Sequence, residues 1–238
     1  MDVRHLRQEM LFGEGATKRL RACHVAVFGI GGVGSYAVEA LARSGVGELT
    51  LVDGDVYAES NFNRQLYATE DVIGRAKVLV AAERVGEIDP HIRVHARQVF
   101  FLPECAAELD FSAFDYVIDA VDTVAAKIAI AECAYRAGVP AVSCMGTGNK
   151  TDPTLFRVAD IYKTDVCPLA RAVRIALRKR GVPHLKAVYS TEPPRAAVAA
   201  TDEATGKPVP ASCAFVPPVA GMILAGEAVK ELLGATSK

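Results

Sequence analysis

The six cysteines of this 238-residue chain (Cys23, Cys105, Cys133, Cys144, Cys167 and Cys213) form no C-x-x-C pair. Their scatter through mostly apolar stretches argues against a thiolate zinc site and against a disulfide framework. With no signal peptide ahead of them, the pattern predicts a reduced, cytoplasmic protein. Long apolar runs are missing as well. The uncharged stretch from Phe215 to Gly226 is too short to cross a bilayer and carries Pro217 and Pro218, so it predicts the start of a soluble helix and no membrane partner. No internal repeat or low-complexity tract occurs. A formal net charge of −1 argues against a surface coated in basic residues.

What is present is the balance of a folded chain, 51% hydrophobic and 23% charged. That is too apolar for disorder, and the length suits one α/β domain of generous size. Charge is uneven along it. From Lys163 to Lys186 there are seven basic residues and one acid, Asp165. Such a stretch can meet a polyanion or form a solvated helix face, and composition alone does not separate the two.

Strands and helices alternate. His24 to Phe28 reads as a strand running into a glycine turn, Tyr36 to Arg43 as a helix stopped by Gly45, and Glu48 to Val52 as the next strand. This βαβ unit predicts parallel pairing through a right-handed crossover. Further units follow: helix 76–87, strand 93–96, strand 116–119, helix 125–137 and strand 141–144. Leu155 to Val158 reads as a strand with no helix before it, where the sheet turns antiparallel. A helix runs from Cys167 or Pro168 to Arg180, and Val188 to Thr191 reads as the last strand. Residues 193–212 predict a mobile loop, and Pro217 and Pro218 suit the first turn of a terminal helix burying Ile223, Leu224, Val229 and Leu232. The class is a Rossmann-like, doubly wound, mostly parallel α/β sheet with an antiparallel C-terminal extension. Residues 1–238 read as one domain of two parts, residues 1–150 up to the change of texture after Gly146 and residues 151–238 beyond it.

Gly29, Gly31, Gly32 and Gly34 fit the G-x-G-x-x-G pattern between a strand and a helix, where glycines admit a phosphate to the backbone and the helix N-terminus supplies free N–H groups. Asp53 ends the second strand, where an acid can accept from a ribose. These features suit NAD or FAD as well as ATP. Ser60, Asn61, Asn63, Arg64 and Lys77 then place cations and amides close after the ribose acid, which hydride transfer does not need and adenylyl transfer does. Taken singly, each also has a plain reading: Asn61 as a cap, Arg64 paired with Glu70, Lys77 as a solvated helix residue. Asp122 ends a strand at the ligand-binding edge and can hold Mg²⁺, or it or Thr123 can cap the next helix.

In order along the first 150 residues, Arg4 to Gln8, the glycine turn, Asp53-Gly54-Asp55, Ser60 to Gln65, Lys77 and Asp119 to Thr123 resemble the ubiquitin-activating-like adenylyltransferases. The resemblance implies that Gly32, Asp53, Ser60, Asn61, Arg64, Lys77 and Asp122 touch ATP or its Mg²⁺, with Asp122 the metal ligand. Gly29, Gly31, Gly34, Asp55, Asn63 and Thr123 complete that site. It also implies that Arg7 reaches into the site of a second subunit, hence a homodimer, and that Arg7, Arg64, Lys77 and Asp122 form the catalytic set.

In the second half, Met145 to Lys150, Asp152 to Thr154, Lys163-Thr164, Cys167 to Ala170, Tyr189 to Pro193 and Phe215 to Gly221 resemble the tRNA threonylcarbamoyladenosine dehydratases. That family implies adenylation of the threonine carboxylate of the modified adenosine next to the tRNA anticodon, then ring closure by a nitrogen of the same group with loss of AMP. An intramolecular nucleophile arrives already positioned. On this reading Arg171, Arg174 and Arg178, on one helix face with Lys179 and Arg180 beside them, track tRNA phosphates. Leu169, Val173, Ala176 and Leu177 face the core. The runner-up activates the C-terminus of a ubiquitin-like sulfur carrier, which keeps a sulfur-transfer protein among the partners to test. Cys144 and Cys167 are read as packing residues.

Overall fold

The computed structural model describes residues 3–196, 201 and 209–234. Its helices and strands in chain order are α1 (Leu6–Phe12), α2 (Ala16–Arg21), β1 (His24–Phe28), α3 (Gly34–Ser44), β2 (Glu48–Val52), α4 (Lys77–Ile88), β3 (Arg93–Arg97), β4 (Tyr116–Asp119), α5 (Val124–Ala137), β5 (Ala141–Cys144), β6 (Phe156–Asp160), α6 (Pro168–Lys179), β7 (Lys186–Ser190) and α7 (Val216–Leu232). The strands form one sheet in the order β3-β2-β1-β4-β5-β7-β6. Among the described residues, only β6 runs antiparallel, against β7. Of the loop expected at 193–212, residues 197–200 and 202–208 lie outside the described residues.

The chain walks outward from β1 through β2 to β3, then returns to lay β4 on the other flank of β1. That reversal makes a switch point, and the crevice it opens at the carboxyl ends of β1 and β4 is where doubly wound sheets bind ligands. Both faces of β1 are covered, which is why its sequence is an unbroken apolar run rather than an alternating one. Val25 and Val27 join the cluster formed with α3, α4 and α7, while Ala26 and Phe28 join the one formed with α5. A third cluster sets Ala170, Val173 and Leu177 of α6 against Ala187 and Tyr189 of β7. Each fully buried valine, leucine or phenylalanine among them contributes about 1.5–3 kcal/mol.

The expected elements are present, with shifted ends. The last strand begins at Lys186 rather than Val188 because Lys186 and Ala187 continue the ladder opposite Asp160 and Ala159. The cost of placing a lysine there is offset by Glu227 and Glu231 of α7, which both accept from its ammonium. α6 buries Val173 and Leu177 fully, and Leu169 and Ala176 are half-covered. α7 carries Pro217 and Pro218 in its first turn and buries Leu224 and Val229, with Ile223 and Leu232 partly covered. The antiparallel turn at β6 falls where the missing helix placed it. α1 and α2, of 7 and 6 residues, are too short to show a readable period.

Candidate functional site

The turn after β1 is built around absent side chains. Gly29 has φ +85°, and a Cβ there would sit 2.8 Å from the Ala120 carbonyl carbon. The loops after β1 and β4 therefore touch at the switch point. A Cβ on Gly34 would lie 1.7 Å from the Gly29 carbonyl oxygen, and one on Gly32 would lie 3.1 Å from the Arg64 Cγ. From the opposite side, α7 closes on the turn through Gly221, where a Cβ would meet the Val33 carbonyl at 2.2 Å. The turn is thus fixed by backbone-to-backbone contact on two sides while its own N–H groups lead into α3.

Asp53 ties this turn to β2. Its carboxylate accepts from the Ile30 N–H at 2.6 Å and from the Asp55 N–H at 2.8 Å. Burial nevertheless pushes its pKa above the usual carboxylate value, outweighing those two hydrogen bonds and the nearby Lys77 charge. Lys77, the first residue of α4, is 5% exposed and donates to the Asp55 carboxylate at 2.9 Å. The solvated-helix reading of Lys77 is therefore wrong. A buried ammonium held by one exposed carboxylate is a cation placed for a ligand that can share it.

Between them, residues 60–65 form a short turn. Asn61 is buried and its Oδ1 accepts from the Ala58 N–H at 3.2 Å, so the capping role is real. Arg64 donates to the Ser60 carbonyl at 2.8 Å and to Asn63 Oδ1 at 3.0 Å, and its expected pairing with Glu70 is not formed. Asn63 in turn donates to the Ser212 carbonyl at 3.1 Å. Ala211 exchanges two hydrogen bonds of 2.8 Å with Asn149, one of them to the Asn149 side chain. The segment before α7 is thereby laced to both halves of the sheet. Gln65, which no single-residue signal marks, is buried with its Oε1 unpartnered, and its Nε2 lies 3.8 Å from where a Gly31 Cβ would be. An unpaired buried carbonyl beside the glycine turn costs about 1–3 kcal/mol unless a ligand or water donates to it.

Asp122 and Thr123 follow β4 and are exposed. Thr123 is the N-cap of α5, but its hydroxyl makes no capping bond and lies 3.4 Å from Asp122 Oδ1. The capping alternative is thus met by position alone, and the carboxylate of Asp122 stays open to a hard cation. Beneath this loop lies a buried pair that no local pattern announces: Lys127 donates to both Asp119 oxygens, at 3.1 and 3.0 Å, and to Ser143 Oγ at 3.3 Å. Lys127 is 1% exposed. Asp119 Oδ1 also accepts from the Val121 N–H at 3.1 Å, which shapes the turn carrying Asp122. Cys144 lies beside this group, and burial pushes its thiol up to about 12. It is a packing residue, as expected. These groups fit ATP and Mg²⁺: a glycine cradle that one methyl group would fill, the Gln65 carbonyl awaiting a donor, the Lys77 cation, and the Asp122 carboxylate.

The basic helix divides. Arg174 is partly buried and commits its guanidinium to the Thr164 carbonyl and hydroxyl, at 2.7 and 2.8 Å. Arg178 stands 5.3 Å over the Tyr162 ring, and Arg180 pairs with Glu132. Arg171 and Lys179 are exposed. At the start of α6 a cavity of about 570 Å³ is lined by Asp165, Cys167, Arg171 and Arg174, and includes Val166 at φ +54°. A β-branched residue in that region is strained, and such strain collects at functional sites. A Cβ on Gly146, just past the carboxyl end of β5, would lie 3.7 Å from Cys167 Sγ, so the cavity opens on the same sheet edge as the glycine turn. Glu192 of the Tyr189–Pro193 motif is engaged structurally, accepting from the Thr151 and Asp152 N–H groups, while the buried Lys150 donates to its carbonyl. Arg7 stands exposed on α1 among exposed Leu6, Met10 and Leu11.

Fold and glycine turn together define a nucleotide-binding protein of the doubly wound class. The sequence profile of the ThiF family matches residues 5–238, and the chain belongs to that family. It is 42% identical over 238 residues to the tRNA threonylcarbamoyladenosine dehydratase of Bacillus subtilis (strain 168), covering 95% of this chain and 93% of that one. Among solved structures, the E. coli tRNA N6-threonylcarbamoyladenosine dehydratase in complex with ATP superposes with a TM-score of 0.87 at 34% identity, over 97% of this chain and 94% of that chain. The same E. coli protein in complex with AMP gives 0.87 at 34% identity, over 98% and 96%.

Proposed function

We propose that this chain uses ATP to dehydrate threonylcarbamoyladenosine in tRNA, closing its ring through adenylation of the carboxylate. The observation that carries this reading is Lys77, buried at the start of α4 and held by Asp55 next to the ribose acid Asp53. A hydride-transfer site has no use for a buried cation there, whereas a triphosphate does. The carboxylate oxygen attacks the α-phosphorus and pyrophosphate leaves. A nitrogen of the same modification then attacks the activated carbonyl and AMP leaves, taking with it the oxygen lost as water. Asp122 holds Mg²⁺, and Arg64 and Lys77 offset phosphate charge. Residues 151–238 form the substrate region of a single unit, with one sheet running through both regions. The cavity at α6, which Arg171 lines, takes the modified nucleoside, and Lys179 outside it meets phosphates of the anticodon arm.

The active form is a homodimer, in which Arg7 completes the partner's site. Its exposure on α1 among Val3, Leu6, Met10 and Leu11 supports this, since four exposed apolar side chains on one short segment are suited to burial. None of the described helices is long and apolar enough to cross a membrane, and we place the reaction in the cytoplasm. The test is to incubate the purified protein with ATP, Mg²⁺ and threonylcarbamoyl-modified tRNA. AMP should be released and the nucleoside should lose the mass of one water. If no such product forms while a ubiquitin-like carrier drives ATP–pyrophosphate exchange, the sulfur-carrier reading replaces this one.

A further inference from the structure

At the opposite end of the sheet from the glycine turn, three parallel strands each contribute one metal-ligating side chain to a single point. His24 opens β1, Glu48 opens β2 directly beside it, and His95 lies on β3 opposite Thr50. One ligand atom from each residue lies within 4.8 Å of the other two. Glu48 Oε1 is the hub, 2.7 Å from His95 Nε2 and 3.8 Å from His24 Nδ1. Ligand atoms bound to one zinc at about 2.0–2.2 Å stand about 3–3.5 Å apart, so small side-chain adjustments convert this cluster into a coordination shell.

We propose that His24, Glu48 and His95 form a divalent zinc site of the two-histidine, one-carboxylate kind, which staples β1, β2 and β3 together at their amino-terminal end. Two imidazoles and a carboxylate are the donor set that zinc accepts, with a fourth position left for water. The surroundings are those of supported ligands. His24 Nε2 lies 2.8 Å from the Thr50 hydroxyl, and with that nitrogen donating, the lone pair of Nδ1 is turned toward Glu48. The Phe114 ring stands edge-on to His24 at 5.0 Å and holds the imidazole plane. The second carboxylate oxygen, Oε2, accepts from Arg93, leaving Oε1 for the metal. Thr50 is 4% exposed and fixed in the sheet, whereas His95 is 45% exposed on its outer edge, giving an ion a way in. The neighbouring Cys23 does not belong to the set, since its thiol is directed to the Arg19 carbonyl.

The test uses the full chain, stripped with a chelator and carrying Cys23→Ser so that the adjacent thiol cannot substitute. Zinc is titrated calorimetrically, and thermal midpoints are read with and without one equivalent. The expected result is binding of one equivalent and a rise in midpoint, with both lost in His95→Ala and in His24→Asn. Cobalt(II) should give the visible absorption of a four-coordinate ion in the parent and lose it in both variants. ATP-dependent AMP release should be equal in all three, because the cluster lies at the far end of the sheet from the nucleotide turn. His95 is half-exposed on an edge strand, so His95→Ala keeps the test informative should His24→Asn fail to fold. No zinc-dependent rise in the parent, or the same rise in both variants, overturns the proposal.

Discussion

The carbonyl oxygen of Gly29 occupies the space that a side chain on Gly34 would need, 1.7 Å from the would-be Cβ. No rotamer can relieve a clash with backbone, so Gly34→Ala must displace either the turn or α3. Overpacking of a rigid site costs about 1–3 kcal/mol or more. We expect Gly34→Ala to lower the unfolding free energy from urea melts by that margin and to abolish ATP binding by calorimetry. Gly86, which has open space around it, should accept alanine without loss.

Lys77→Ala and Asp122→Ala should each reduce AMP release by about 10²–10³-fold, as expected for removing one preorganised electrostatic group. Circular dichroism and the melting temperature of Asp122→Ala should match the parent, since that side chain is exposed. If Asp122→Ala retains full turnover at saturating Mg²⁺, its role as metal ligand is lost.

Lys127→Ala should be the most destabilising of the substitutions near the site. It strands Asp119, which is 2% exposed, without its partner, and breaking a buried pair from one side costs about 3–5 kcal/mol. Joining Lys127→Met to Asp119→Leu should restore some of that stability in denaturant melts while leaving activity low, because the Asp119–Val121 hydrogen bond that shapes the Asp122 turn is gone.

On α6 the arginines should not behave alike. Arg171→Ala with Lys179→Ala should weaken tRNA binding and make the logarithmic salt slope shallower by about 0.7–0.9 for each phosphate contact removed. Arg174→Ala should instead lower thermal stability and change affinity with little dependence on salt, because its guanidinium anchors Thr164. That contrast tests the expectation that Arg171, Arg174 and Arg178 all serve phosphate.

The Cys144 thiol, raised by burial from 9.0 to about 12, gives a pH signature. Between those values the unfolded chain releases this proton and the folded one keeps it, so stability falls as pH rises through that window. Comparing thermal midpoints of the parent and Cys144→Ala from pH 8 to 11 should show a steeper decline in the parent. Iodoacetamide at pH 8.5 should label Cys144 only under denaturing conditions.

Much of the fold and of the nucleotide crevice is legible in the sequence, and the exceptions have physical causes. The glycine turn, Asp53 at the end of β2 and the alternation of strands and helices through β4 follow from local signals: apolar runs, glycines that allow close approach, and acids at strand ends. The antiparallel β6 is readable because no helix precedes it. The burial of Lys127, Lys150, Glu192 and Gln65 is not, because a buried polar residue looks like an exposed one until its partner is located, and those partners lie 8 to 42 residues away where hydrogen bonds are made. The His24–Glu48–His95 cluster is hidden for the same reason, since only strand pairing brings the three together.

The strand order has a kinetic consequence. β1 sits between β2, which follows it closely, and β4, whose partner residues lie about ninety positions further on. Closing so long a loop is slow, and parallel pairing must bear that entropy before any contact offsets it. During synthesis, therefore, the glycine turn can form with β2 long before Ala120 arrives to fix Gly29. The nucleotide crevice thus closes only after half of the chain has been made. A chain interrupted anywhere before β4 carries the phosphate motif without the site, and it exposes one flank of its central strand to any other edge it meets.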